Sequence, residues 1–201
     1  ENNTTHLGHI ARLGARLSLT IAAFFTGFLL IGGEQVLSLF GRGYEGSFLL
    51  LLILLAGQLV NAAVGAVAFI MFMSGQEKHA ARILTLIITV MLFLYVIAIP
   101  ALGIKGAALV TAAGVAAWNV GMMKSIYRNL GVVTRANNIL RCVLFLAGVS
   151  LATLAGISTN IPTLYLLALY ALLTPVLLWK YVLLQEDRDA LMSVAGRYRT
   201  A

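Results

Sequence analysis

Carboxylates are scarce in this chain. Among 201 residues there are 7 Asp and Glu against 14 Lys and Arg, and charged residues make up only 10% of the total. Histidines number 3, prolines 3 and cysteines 1. The few acids lie mostly at the ends or in loops, so no nucleophile–base arrangement is visible and an enzyme is not expected. His6 and His9 have no third ligand nearby, which argues against a metal centre. The lone Cys142 cannot form an intrachain disulfide, and inside an apolar run it reads as a small packing residue. Gly103-Ile104-Lys105-Gly106 lacks the spacing of a phosphate loop. Alternating strands of about ten residues, the mark of a membrane barrel, are also missing.

Apolar side chains fill the space those groups leave. They make up 61% of the chain, and the mean hydropathy is +0.96. One soluble core cannot hide that much apolar surface. Six runs stand out, at residues 17–40, 48–73, 83–102, 106–127, 139–157 and 161–184. A helix needs about 20 apolar residues to cross the hydrocarbon, and most of the runs have that length. The expected fold is therefore all-α, a polytopic membrane bundle of about six transmembrane helices.

Charge supplies an independent count. With the runs read as alternating crossings, one side holds Arg12 and Arg16, Lys78 and Arg82, Lys124, Arg128, Arg135 and Arg141, then Lys180, Arg188, Arg197 and Arg199. The opposite side holds only Arg42 and Lys105. Positive loops are retained on the cytoplasmic side, so both ends of the chain are expected there, in the inner membrane. The net charge of +7 is scattered over short loops. Membrane orientation and anionic headgroups account for it better than nucleic acid does.

The expected organisation is an amphipathic cytoplasmic lead-in at 1–16, a four-helix part at 17–127, a basic cytoplasmic loop at 128–138, a terminal helical hairpin at 139–184 and a cytoplasmic tail at 185–201. In the lead-in, Leu7, Ile10, Leu13 and Leu17 share one helical face, with Arg12 and Arg16 opposite. In the fourth span Ala108, Ala112 and Ala116 recur every four residues, beside Ala113, Ala117 and Gly121. Small residues at that spacing let helix backbones approach in lipid, which marks this span as central. Pro175 is expected to bend the last span. The chain opens on Glu1, without an initiator Met or signal sequence, and reads as part of a longer protein.

A few polar residues at membrane depth are candidates for a substrate or ion path. Glu34 with Gln35 is the sharpest, because an acid near a span is costly. It reads either as a proton, cation or headgroup contact in a cavity, or as a side chain reaching the outer interface beside a glycine bend. Gln58 and Asn61 share a helical face, and Asn119 lies in the fourth span. These three read either as path-lining groups or as interhelical hydrogen bonds. Lys78 and Arg82, with His79, read either as a headgroup contact or as simple topology signals.

The pattern Leu39-Phe40-Gly41, the stretch from Ala56 through Gly57-Gln58-Leu59-Val60-Asn61 to Gly65, and Met73-Ser74-Gly75-Gln76-Glu77-Lys78 occur in that order. Ile99-Pro100 and Gly103-Ile104-Lys105-Gly106-Ala107-Ala108 follow. Over roughly residues 37–125 this series resembles the bacterial polysaccharide transporters, lipid-linked oligosaccharide flippases of the MATE-like superfamily, in their carboxy-terminal part. The resemblance implies two helical lobes around a cavity, alternating access, and a missing N-terminal lobe of the same protein. It implies a lipid-linked glycan as substrate and the bilayer as surroundings. It implies no cofactor, and coupling to H+ or Na+ stays open. Two other readings stand beside it. One is a multidrug or cation antiporter of the same superfamily, which needs a membrane carboxylate and would use Glu34. The other is a non-transporting scaffold for glycan-synthesis enzymes.

Overall fold

The computed structural model describes residues 2–44, 46–159, 161–183, 185 and 188, with side chains from Gly8 onward except Arg42. Most of the tail at 185–201, including Arg197 and Arg199, lies outside the described residues, as do Glu45 and the side chain of His6. Among the described residues there are helices and connections and no strand. The helices are α1 (Asn2–Ser38), α2 (Phe48–Val64), α3 (Val67–Met73), α4 (Glu77–Leu102), α5 (Ile104–Leu130), α6 (Ile139–Ser158) and α7 (Thr163–Leu177). A single 3-10 turn, Arg42–Tyr44, follows α1, and a π-helical turn, Leu178–Val182, extends α7.

Five helices are long and apolar enough to cross a membrane, and α2 with α3 makes a sixth segment, bent by 41°. This is the all-α membrane-type bundle that the apolar runs predict. The lead-in at 1–16 and the first run form one continuous helix of 37 residues. At about 1.5 Å per residue such a helix outreaches a hydrocarbon core of about 30 Å, so one end must project beyond it.

Two helices organise the packing. α5 lies against α2, α3 and α4, while α1 lies against α2, α6 and α7. The α4–α5 pair and the α6–α7 pair therefore sit on opposite sides of α1 and α2. Small residues set the closest approaches. A Cβ at Gly57 would lie 2.9 Å from the Ala112 Cα, so α2 and α5 meet backbone to backbone. On its other side α5 presents Gly114 to Met91 and Gly121 to Ile83 of α4. The fourth span is central, as its four-residue repeat of alanine predicts.

The second run differs from a single span because of one residue. Gly65 adopts φ +77°, a conformation costly for side-chain-bearing residues, and the helix stops there. A Cβ at Gly65 would also press on Ala15 of α1, at 2.8 Å from its Cβ. After the break the Val67 amide turns back to the Gly65 carbonyl. The Ala63 carbonyl, which Val67 would occupy in a continuous helix, accepts instead from the Ala136 amide at 2.8 Å.

Ala136 belongs to the connection 131–138, which is no loose loop. Val132, Thr134, Ala136 and Asn138 are buried, while Val133, Arg135 and Asn137 face outward. That period of two is the signature of an extended strap lying on a surface. Val132 enters a core with Val67, Met71, Met122 and Ile126, and Ala136 enters a second with Ala15, Leu19, Cys142 and Val182. The strap thus stitches together the two halves of the bundle at the end that carries the basic residues.

Candidate functional site

The α6–α7 pair holds the most distinctive arrangement, and α1 creates it. Tyr170 of α7 donates its hydroxyl to the Phe24 carbonyl at 2.7 Å and stacks near the Phe24 ring, centroids 5.6 Å apart. It fits because α1 has Gly27 there, where any Cβ would run into the Tyr170 ring. At the far end Gln35 Nε2 donates to Thr163 Oγ1 at 3.2 Å, tying α1 to the start of α7. α6 packs on α1 separately. Each helix is held by α1 more than by the other, which leaves a cleft between them.

The cleft has a volume of about 330 Å³ and aliphatic walls from Leu144 and Val149 on α6 and Leu169, Leu173 and Leu177 on α7. Gly148 and Ala152 keep the α6 wall thin. A Cβ at Gly148 would meet nothing within 4 Å, so the glycine faces open space. Toward the basic end the cleft runs into a second space of about 310 Å³ that shares Leu144, Phe145 and Leu177 with it and adds Arg141 and Tyr181. Arg141 and Tyr181 also line a third, wider space of about 710 Å³, with Asn137, Lys180, Gln185 and Arg188. Through these shared residues the three spaces follow one another as a track, apolar between the helices and lined among the described residues by Arg141, Lys180 and Arg188 where it widens.

Local chemistry concentrates positive charge at that mouth. Arg141 stands in the first turn of α6, where the exposed amides of the helix end already create positive potential. Helix stability would favour an acid there, so Arg141 adds to the field. Past Pro175 the α7 backbone widens into the π turn, which places Lys180 and Tyr181 at the rim. The Lys180 Nζ sits 5.5 Å from the Tyr181 ring centroid. Arg188 donates through Nη2 to the carbonyls of Lys180 and Leu183, at 2.8 and 3.1 Å. Among the described residues no carboxylate lines the mouth.

A buried polar layer supports it from below. Arg16, expected on the polar face of the lead-in, is only 3% exposed because the strap covers it. Its Nη1 reaches Asn137 Oδ1 at 3.5 Å. The Thr20 hydroxyl donates to the Arg16 carbonyl at 2.8 Å and accepts from Asn138 Nδ2 at 3.1 Å. Asn138 precedes α6, so this bond fixes where that helix begins.

The candidates named from the sequence lie elsewhere and, apart from Gln58 with Asn61, are not brought together. Glu34 is exposed beside a small space of about 190 Å³ with Ser38, Tyr44 and Phe48, at the end opposite the basic one. Gln35 makes the bond to Thr163 already described. Asn61 Nδ2 donates to Gln58 Oε1 at 3.2 Å, so these two satisfy one another along α2, with Gln58 exposed. Asn119 is buried and donates to the Val115 carbonyl of its own helix at 2.8 Å. Lys78 and Arg82 are exposed in the first turns of α4. Arg141, Lys180 and Arg188 are not among the sequence candidates, because topology already accounts for most of the basic charge, theirs included. The usable signal was Arg141, a cation in a first helical turn where the dipole opposes it. Among the described residues, no group of three His, Cys, Asp or Glu side chains is placed to hold a metal ion.

No family model, curated protein or solved structure matches this chain.

Proposed function

We propose that the chain is one lobe of a transporter that moves lipid-linked oligosaccharide or polysaccharide precursors across the bacterial inner membrane by alternating access. The observation that carries this reading is the α6–α7 track, apolar between the helices and lined by Arg141, Lys180 and Arg188 where it opens. The ligand it suits is a lipid with a long hydrocarbon tail and a phosphate or diphosphate head. Lipid tails already surround the protein, so moving one into an apolar cleft gains little free energy. Selection must come from the head, where each charge-assisted hydrogen bond contributes about 1.5–3 kcal/mol. The cleft then supplies shape and the mouth supplies affinity, with the sugars left outside in water. By the positive-inside pattern the mouth is expected on the cytoplasmic side. The series of motifs around Gly57–Asn61 and Gly103–Ala108 supports the same family reading.

Gly148→Leu fills the cleft without a backbone clash, and Arg141→Gln with Lys180→Gln discharges the mouth. Glycan export by the full protein is expected to fall several-fold in each at unchanged membrane abundance. Wild-type export in both would remove the track from transport, as the scaffold reading expects.

A further inference from the structure

A second cationic space lies on the other side of the strap, and it takes no part in the track. It has a volume of about 320 Å³ and is formed by the last turns of α5 and by 132–135. Lys124 and Arg128 stand four residues apart on one face of α5, and Arg135 joins them from the strap. Met123, Val132 and Val133 supply the apolar wall, with Tyr127 at the rim. Tyr127 is 61% exposed and Val133 45% exposed, so an aromatic ring and an aliphatic side chain face outward beside three cations. Glu34 and Glu77 are the only carboxylate side chains among the described residues, and neither lines this space or pairs with its cations.

Two ordinary explanations account for part of this. A cation in the last turn of a helix is favoured by the dipole, which covers Arg128. Topology needs positive charge somewhere in this connection. Neither requires three cations from two elements to converge on one pocket with apolar walls. That convergence has a purpose if the pocket receives a ligand that is anionic at one end and apolar at the other. Its place at the end of a membrane-crossing helix, with a tyrosine at the rim, is where headgroups lie.

We propose that Lys124, Arg128 and Arg135 form a binding site for an anionic phospholipid, with the phosphate among the three cations and the upper acyl chain against Met123, Val132 and Val133. This site is separate from the track and does not depend on the transport reading. Arg135 precedes Ala136, whose amide holds the Ala63 carbonyl, so the headgroup sits one residue from the clamp on the α2–α3 bend.

The test is native mass spectrometry of the purified full chain with phosphatidylglycerol or phosphatidylcholine added at equal concentration. The wild type is expected to retain phosphatidylglycerol preferentially. Lys124→Gln/Arg128→Gln/Arg135→Gln is expected to lose that retention by at least about tenfold, and the single Arg135→Gln to lose part of it. Arg12→Gln, which removes an exposed charge at the same end of the bundle, is expected to leave it unchanged. Equal retention in the triple variant, or an equal loss in the Arg12 control, overturns the site. Release of the lipid by millimolar inorganic phosphate would show a soluble anion to be the ligand and overturn the lipid assignment. Should the triple variant fail to yield folded protein, the single Arg135→Gln decides.

Discussion

At the residue scale, two glycines in this bundle have opposite meanings, and the surroundings tell them apart. Gly57 faces the Ala112 backbone so closely that a methyl group would lie 2.9 Å from its Cα. Backbone cannot yield as a flexible side chain can, so Gly57→Ala must push α2 away from α5. Overpacking of this kind costs about 1–3 kcal/mol. A lowered thermal midpoint in detergent is the expected result, with export following stability. Gly148 faces open space, so Gly148→Leu is expected to keep the wild-type midpoint and, on the proposed transport function, to lower export. An unchanged midpoint for Gly57→Ala would show that the two helices do not meet as described. The alanine repeat of α5 announced one side of this contact, because small residues every four positions form a continuous face. Its partner was illegible, since Gly57 is one glycine among 19.

At the element scale the bend between α2 and α3 depends on a bond from a distant part of the chain. The end of α2 leaves the Ala63 carbonyl without a helical partner, and an unsatisfied buried carbonyl costs about 1–3 kcal/mol. Ala136→Pro deletes the amide that satisfies it, whereas Ala136→Gly retains that amide. The proline variant is expected to lose about that much stability and to speed hydrogen exchange around Val67, and the glycine variant to lose much less. Equal effects of the two substitutions would assign the loss to the missing methyl group and not to the hydrogen bond. The sequence placed Gly65 within a long second span. Nothing local to residues 48–73 shows that a strap about seventy residues later in the chain completes the bend.

At the scale of the whole molecule, five long apolar helices and the bent α2–α3 segment make up to six spans, and if all six cross they must alternate. Lys78 begins α4 and Lys105 begins α5, so the two residues stand at opposite ends of the bundle. With the buried Cys142 changed to alanine, Lys78→Cys and Lys105→Cys are expected to react with a membrane-impermeant maleimide from opposite sides. Reaction of both from one side would overturn the alternation. The outer surface of α4 is apolar along its length, with Leu92, Phe93, Val96 and Ile97 between 61% and 74% exposed. In water such a face would be untenable, whereas lipid or a neighbouring membrane helix covers it without penalty.

Some features were fixed by the order of residues alone. Apolar runs of sufficient length must become helices in lipid, because every backbone group there has to be satisfied within its own segment. Charge asymmetry between loops is likewise a property of the order of residues, and so is the small-residue face of α5. The cleft and its mouth depend on something else. They exist because Gly27 admits Tyr170 and seats α7 on α1, while α6 packs on α1 separately and the two leave space between them. Asn137 and Arg141 stand together at the mouth, and Asn137 also meets Arg16, because the strap lies across α1. A run of hydrophobic residues records that a helix will form, but not which neighbour stands at what distance. That distance is what separates a filled interface from a binding groove.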